Sequence, residues 1–190
     1  MEFIKRNFEI RAGEEVEKPQ IVGRPIVFDS RTNLEMFDEI IERGALDNSD
    51  LSDVRFLVNH DLTKIPLARA KKDDPNSTMR MTVDKDGLSI VVDLDVENNP
   101  EAKALYSAVK RGDISGMSFM FGVNGEEWEN LESEHPTRHI KSISKVMEVS
   151  AVTFPAYEET EINARALDKV KNNSNSLELE LLKIKYLYNI

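Results

Sequence analysis

Apolar and polar residues alternate most regularly over 77–96, "STMRMTVDKDGLSIVVDLDV". Met79, Met81 and Val83 recur at every second position up to "DKDG", and Leu88, Ile90, Val92, Leu94 and Val96 do so after it. A period of two marks strands with one face in a core, and the Asp/Gly turn between them marks a hairpin. Shorter apolar runs predict strands over 24–29 ("RPIVFD"), 53–60 ("DVRFLVNH"), 117–123 ("MSFMFGV") and 139–154 ("HIKSISKVMEVSAVTF"). Two segments show helical spacing instead. In "NLEMFDEIIERGAL" (33–46), Leu34, Phe37, Ile40 and Ile41 lie three and four apart, with Asn33 as N-cap and Gly44 as stop. In "NPEAKALYSAVKRG" (99–112), Asn99 caps, Pro100 suits the first turn, Lys110 and Arg111 suit the negative end, and Gly112 terminates. The acidic stretch "NGEEWENLESEHPT" (124–137) reads as an exposed loop anchored by Trp128.

Many antiparallel strands with two interposed helices predict a mainly β, α+β domain, most economically a curved sheet or barrel. After Arg165 the pattern changes. "KVKNNSNS" (169–176) is linker-like, and "LELELLKIKYLYNI" (177–190) is amphipathic but too short to fold alone, so it must dock. The expected division is a domain over 1–165 and a linker with an amphipathic tail over 166–190.

Composition narrows the function classes. The 25 basic residues against 35 acidic give a formal net charge of −10, which opposes a nucleic-acid surface. With no cysteine, disulfides, thiolate metal sites and a cysteine nucleophile are excluded. His60, His135 and His139 are too scattered for a typical zinc site, and Pro136 breaks the one helical pairing among them. No metal or cofactor is expected. The first residues, "MEFIKRNFEI", lack the apolar core of a signal peptide, and no run approaches the roughly 20 apolar residues of a membrane span. The expectation is a soluble intracellular protein without membrane partners.

Candidate chemistry centres on "GDISGMSFMF" (112–121). Strand alternation places Met117, Phe119, Phe121 and Val123 on one face and Ser118, Met120 and Gly122 on the other, so Ser118 is expected to point outward. Gly116 and Gly122 would leave room beside it for a ligand chain. A serine nucleophile needs a base, and His60 closes the strand "RFLVNH". The base needs an acceptor behind it, and Glu148 stands in an otherwise apolar run with Val146, Met147, Val149, Ala151 and Val152. Each residue also has an ordinary structural explanation: a serine on a wet strand face, a strand-end histidine held by Asn59 or Asp61, a carboxylate paired with Lys145 or Arg138. Asp61 and His139 are alternative third members, and Lys110 or Lys145 alternative bases.

In chain order, "VGRPIVFDS", "FDEIIERGAL", "VRFLVNHD", "PLARA", "DGLSIVVDLD", "VKRGDISGMSFMF" and "MEVSAVTFPAYEET" together resemble the tailed-phage prohead (capsid maturation) protease family, over roughly residues 20–165. The resemblance implies a serine endopeptidase distantly related to the herpesvirus assembly proteases, with an antiparallel β-barrel surrounded by helices. It places the nucleophile at Ser118 in "GMSF", the general base at His60 in "NHD" and the third member at Glu148 in "MEVS". The herpesvirus relatives use a second histidine there, which keeps His139 in contention. Ala68 in "PLARA" stands where the family usually has glycine. The bend over 110–116 is the expected source of oxyanion donors. Implied substrates are the phage major capsid protein and the scaffold protein, and the chain itself, cut inside the procapsid in the cytoplasm of the bacterial host. The tail would then be a removable or shell-docking segment, or a contact for a homodimer. A non-catalytic assembly module keeping the same fold is the main alternative. A small-molecule esterase is another, though G-x-S-x-G is absent at Ser118.

Overall fold

The computed structural model describes residues 10–12, 19–34 and 36–153. In chain order these form β1 (Ile10–Ala12), β2 (Gln20–Val27), β3 (Arg31–Asn33), β4 (Asp38–Ile41), β5 (Asp53–Val58), β6 (Ala68–Lys71), β7 (Met79–Asp84), β8 (Gly87–Asp93), α1 (Pro100–Arg111), β9 (Gly116–Glu129) and β10 (Thr137–Val152).

The alternating stretch 77–96 folds as the β7–β8 hairpin, closed around Lys85 and Asp86 with Asp84 paired to Gly87. Gly87 is required there. Its φ is +145°, and a Cβ would stand 1.9 Å from the carbonyl oxygen of Ile26 on β2. Together with β1 and β2 the hairpin makes an antiparallel sheet in the order β1-β2-β8-β7.

The second sheet is built on β10. Its strand order is β3-β4-β10-β5-β6, with β9 also paired to β10. β9 runs antiparallel along β10 from Thr137↔Glu129 to Val152↔Gly116. A strand has two edges, so β4 and β5 share the other one. β4 pairs parallel with residues 137–140, β5 pairs parallel with residues 148–151, and an Asp50↔Lys145 bridge lies between them. The expectation of antiparallel strands fails at these two pairings. No hairpin links β4 or β5 to β10, so turn geometry does not dictate their direction. β5 and β10 thus end side by side, with Val58 opposite Ala151.

α1 forms as its punctuation predicts. The Asn99 side chain accepts from the amides of Glu101 and Ala102, and Gly112 closes the helix in the left-handed conformation. Ala102, Leu105 and Val109 enter the core that also holds Phe56, Met117, Phe119, Val149 and Ala151.

The helix expected over 33–46 does not form. The segment is the β3–β4 hairpin followed by turns, with Asn33 paired to Asp38 instead of capping a helix. Leu34 and Phe37 lie three apart because a tight turn folds them together, Leu34 N–H donating to Phe37 O at 2.8 Å. Both pack against Trp128 and Leu131 in a separate small cluster. The loop expected over 124–137 is shortened, since β9 continues to Glu129 and carries Trp128 within a strand. Among the described residues there is one helix, and the two sheets are not closed into a barrel. The segment 166–190 lies outside the described residues.

Candidate active site

β5 ends at Val58, and the next two residues turn the chain with left-handed backbones, Asn59 at φ +52° and His60 at φ +56°. Two consecutive non-glycine residues in this region are strained, and strain of this kind persists only when surroundings enforce it. Here they do. Asn59 N–H donates to Ala151 O at 2.9 Å, and its side chain exchanges hydrogen bonds with Thr153. The His60 N–H donates to the Ser150 Oγ at 3.1 Å. The end of β10 therefore fixes the turn that presents His60.

The imidazole of His60 meets Glu148, with Nδ1 and Oε1 2.5 Å apart. A carboxylate only accepts, so Nδ1 carries the proton in this pair. Glu148 is 1 % exposed, and its second oxygen accepts from the Ser150 hydroxyl at 2.5 Å. This burial is tolerable because both oxygens are hydrogen-bonded.

Ser118 enters through register. It stands opposite Ser150 on the β9–β10 ladder, with Met120 opposite Glu148. Paired residues project to the same side, so Ser118, Ser150 and Glu148 share one sheet face, and cross-strand Cβ atoms at such positions are about 5 Å apart. The core residues Met117, Phe119, Val149 and Ala151 occupy the other face. The predicted parity of Ser118 is therefore observed, but its predicted exposure is not. Ser118 is only 2 % exposed, because its face at this end of the sheet carries Leu57, Met120 and Val152, all buried.

The alternative residues lie elsewhere or are engaged. His139 pairs in register with Glu127 near the opposite end of β10, nine positions from Glu148, a span on the order of 25–30 Å. There its ring nitrogens lie 3.0 Å from Glu42 and 3.3 Å from Glu129. Asp61 follows His60 but accepts from the amide and hydroxyl of Thr63, which hold its carboxyl below the usual range. Lys145 is bound to Asp50 at 2.8 Å, and Arg138 lies with Glu39 and Glu126. Neither cation accounts for Glu148. Lys110 is exposed in the last turn of α1.

One expectation about the surroundings is corrected and another is narrowed. The space beside Gly122 is not open, because a Cβ there would lie 2.5 Å from the Ser144 Oγ. Within 110–116, the amides of Gly112 and Asp113 donate to Val109 and Ala108 carbonyls, and Ile114 makes a longer bond to Ala108. Helix termination uses these donors, which removes them from the oxyanion candidates. Ala68 starts β6 opposite Phe56, a paired and buried position. Ser150 joins the site without a mark in the sequence. A serine within an apolar strand gives no sequence signal, and only its spacing of two from Glu148 places both on one face.

A serine, an imidazole whose Nδ1 is held by a buried carboxylate, and strands that bring them to one sheet end are components of nucleophilic acyl transfer. Among the described residues, no cluster of side chains suits a metal ion, and no helix is long and apolar enough to cross a membrane. No curated protein and no solved structure matches the chain. The family model described as Caudovirus prohead serine protease matches residues 6–173. That match takes in every strand of both sheets together with Ser118, His60 and Glu148, and the chain belongs to the Caudovirus prohead serine protease family.

Proposed function

We propose that this chain is a serine endopeptidase of phage head maturation, with Ser118 as nucleophile, His60 as general base and Glu148 as the acceptor that orients and stabilises His60. The observation that carries the assignment is the His60–Glu148 hydrogen bond, made on the same sheet face as Ser118. With Nδ1 turned to the carboxylate, Nε2 is the nitrogen that takes the Ser118 proton. Ser118 Oγ then bonds to the scissile carbonyl carbon, and the imidazolium returns the proton to the amine as the C–N bond breaks. Water repeats the sequence to release the acyl group and regenerate Ser118. Glu148 accepts from Nδ1 throughout and lowers the energy of the imidazolium.

The substrates are the scaffold protein and scaffold-like segments of the major capsid protein, with self-cleavage as a further reaction, inside the procapsid in the bacterial host cytoplasm. Confinement there raises the local substrate concentration, so weak intrinsic affinity suffices. Co-expression of the full chain with its cognate capsid and scaffold proteins tests this reading. Fragments should form with the wild type and vanish with Ser118→Ala. Identical fragments from both would remove the assignment. No fragments from the wild type would favour a non-catalytic assembly module.

A further inference from the structure

Ser150 makes two hydrogen bonds with opposite polarity. Its Oγ accepts from the backbone N–H of His60 at 3.1 Å and donates to Glu148 Oε2 at 2.5 Å. The directions are forced, because a backbone N–H only donates and a carboxylate only accepts. Glu148 Oε1 returns to the ring of the same histidine through Nδ1. A closed cycle results: His60 backbone, Ser150 hydroxyl, Glu148 carboxylate, His60 ring. We propose that Ser150 is a positioning residue for this acid–base pair, its single hydroxyl setting both the strained backbone of His60 and the orientation of the carboxylate behind its ring. The inference rests on the reading of Ser118, His60 and Glu148 given above.

Ser150 is not itself suited to attack a substrate. Its proton is committed to Glu148, and its oxygen already accepts from His60. Its value lies in what it prevents. Held at one oxygen by His60 alone, the carboxylate could rotate, and the imidazole would lose its fixed direction toward Ser118. The His60 turn would also lose one of the contacts that hold a left-handed backbone without glycine. The hydroxyl further disperses the carboxylate charge. Its removal concentrates charge on the oxygen facing Nδ1 and favours the imidazolium, so the base stays protonated to higher pH. Among the described residues, register and sequence place Arg55, opposite Glu148 on β5 and joined to Asp53, and Asp61, held by Thr63, beside the pair. These are unchanged in the test variants.

The test is the rate at which a fluorophosphonate probe labels the purified full chain, measured against pH. The serine oxygen displaces fluoride at phosphorus, with its proton passing to His60, so the rate reports the activated serine without needing the natural substrate. Ser150→Ala should label about 10- to 100-fold more slowly. The acid limb of its profile should move up by about half a pH unit or more. Ser150→Thr, which keeps the hydroxyl, should recover most of the rate and the original limb. Thermal melting of each variant separates this from loss of fold, and Ser150→Cys, similar in size but a poor donor, replaces Ser150→Ala if the latter does not fold. Wild-type rate and profile without the hydroxyl overturn the proposal, as does a slowed rate with an unmoved limb and no rescue by threonine. Ser118→Ala in parallel keeps two failures apart: labelling that survives it defeats the assignment of the nucleophile, whereas loss there beside an unaffected Ser150→Ala defeats only the role of Ser150.

Discussion

Replacing Glu148 with glutamine preserves the size of the side chain and removes its charge. In the wild type the two carboxylate oxygens receive one donor each, His60 Nδ1 and the Ser150 hydroxyl, both at 2.5 Å. At 1 % exposure no bulk water can substitute for either. An amide offers one accepting oxygen and one donating nitrogen to these two donors. If the oxygen turns to Ser150, the NH2 faces Nδ1 and drives the proton to Nε2, the tautomer that cannot accept from Ser118. If the oxygen turns to Nδ1, the tautomer survives but the charge that stabilises the imidazolium is gone. Either outcome should cost about 10³- to 10⁴-fold in rate, equivalent to about 4–5.5 kcal/mol of transition-state stabilisation. Folding should change far less, by about 1–2 kcal/mol, because the shape is kept and most hydrogen bonds can re-form. Fluorophosphonate labelling rates, beside urea unfolding curves of the same samples, separate the two effects. A Glu148→Gln variant that labels within tenfold of wild type would refute the role given to this carboxylate.

Three further outcomes test the surrounding account. His139→Ala should leave labelling within about twofold, since His139 sits near the far end of β10 among Glu42 and Glu129, too distant to touch the reaction; a loss as large as that of Ser118→Ala would return it to the triad. Gly87→Ala should destabilise the fold by at least about 2 kcal/mol in urea unfolding, because its Cβ meets the Ile26 carbonyl, whereas Gly112→Ala, with φ +80° and open space, should cost only about 1 kcal/mol. Burial works to raise the Asp38 carboxyl, but hydrogen bonds from His135 and Arg31 outweigh it and hold the group below its ordinary 3.8. A depressed folded-state value stabilises above the unfolded value, so the stability gap between wild type and Asp38→Asn should be full above about pH 4 and shrink as pH falls further. A gap that widens on acidification would contradict that sign.

What the sequence disclosed follows from how local each cause is. The β7–β8 hairpin and α1 are legible because alternation, turn residues and caps act within a few positions. The segment 33–46 misleads because Leu34 and Phe37 match a helical period while meeting through a hairpin turn onto Trp128 of β9. No local signal reports a partner some ninety residues away. The parallel pairing of β5 with β10 is hidden for the same reason, and with it the way Val58 and Ala151 align His60 with Glu148. Glu148 is visible because a carboxylate in an apolar strand requires a partner. Ser150 is silent, since a small hydroxyl in a strand requires nothing until its neighbours are known. The facing of Ser118 could be read from alternation, but its burial could not, because alternation reports sides and not what covers them.

The most direct test of the central claim is the position of the fluorophosphonate adduct. Trypsin releases Ser118 in the peptide spanning residues 112–138, which also contains Ser115 and Ser133, so fragmentation of that peptide assigns the modified oxygen. The adduct should form on Ser118 and be lost when His60 is replaced by alanine. An adduct on any other serine, or one on Ser118 that forms equally fast without His60, would contradict that claim.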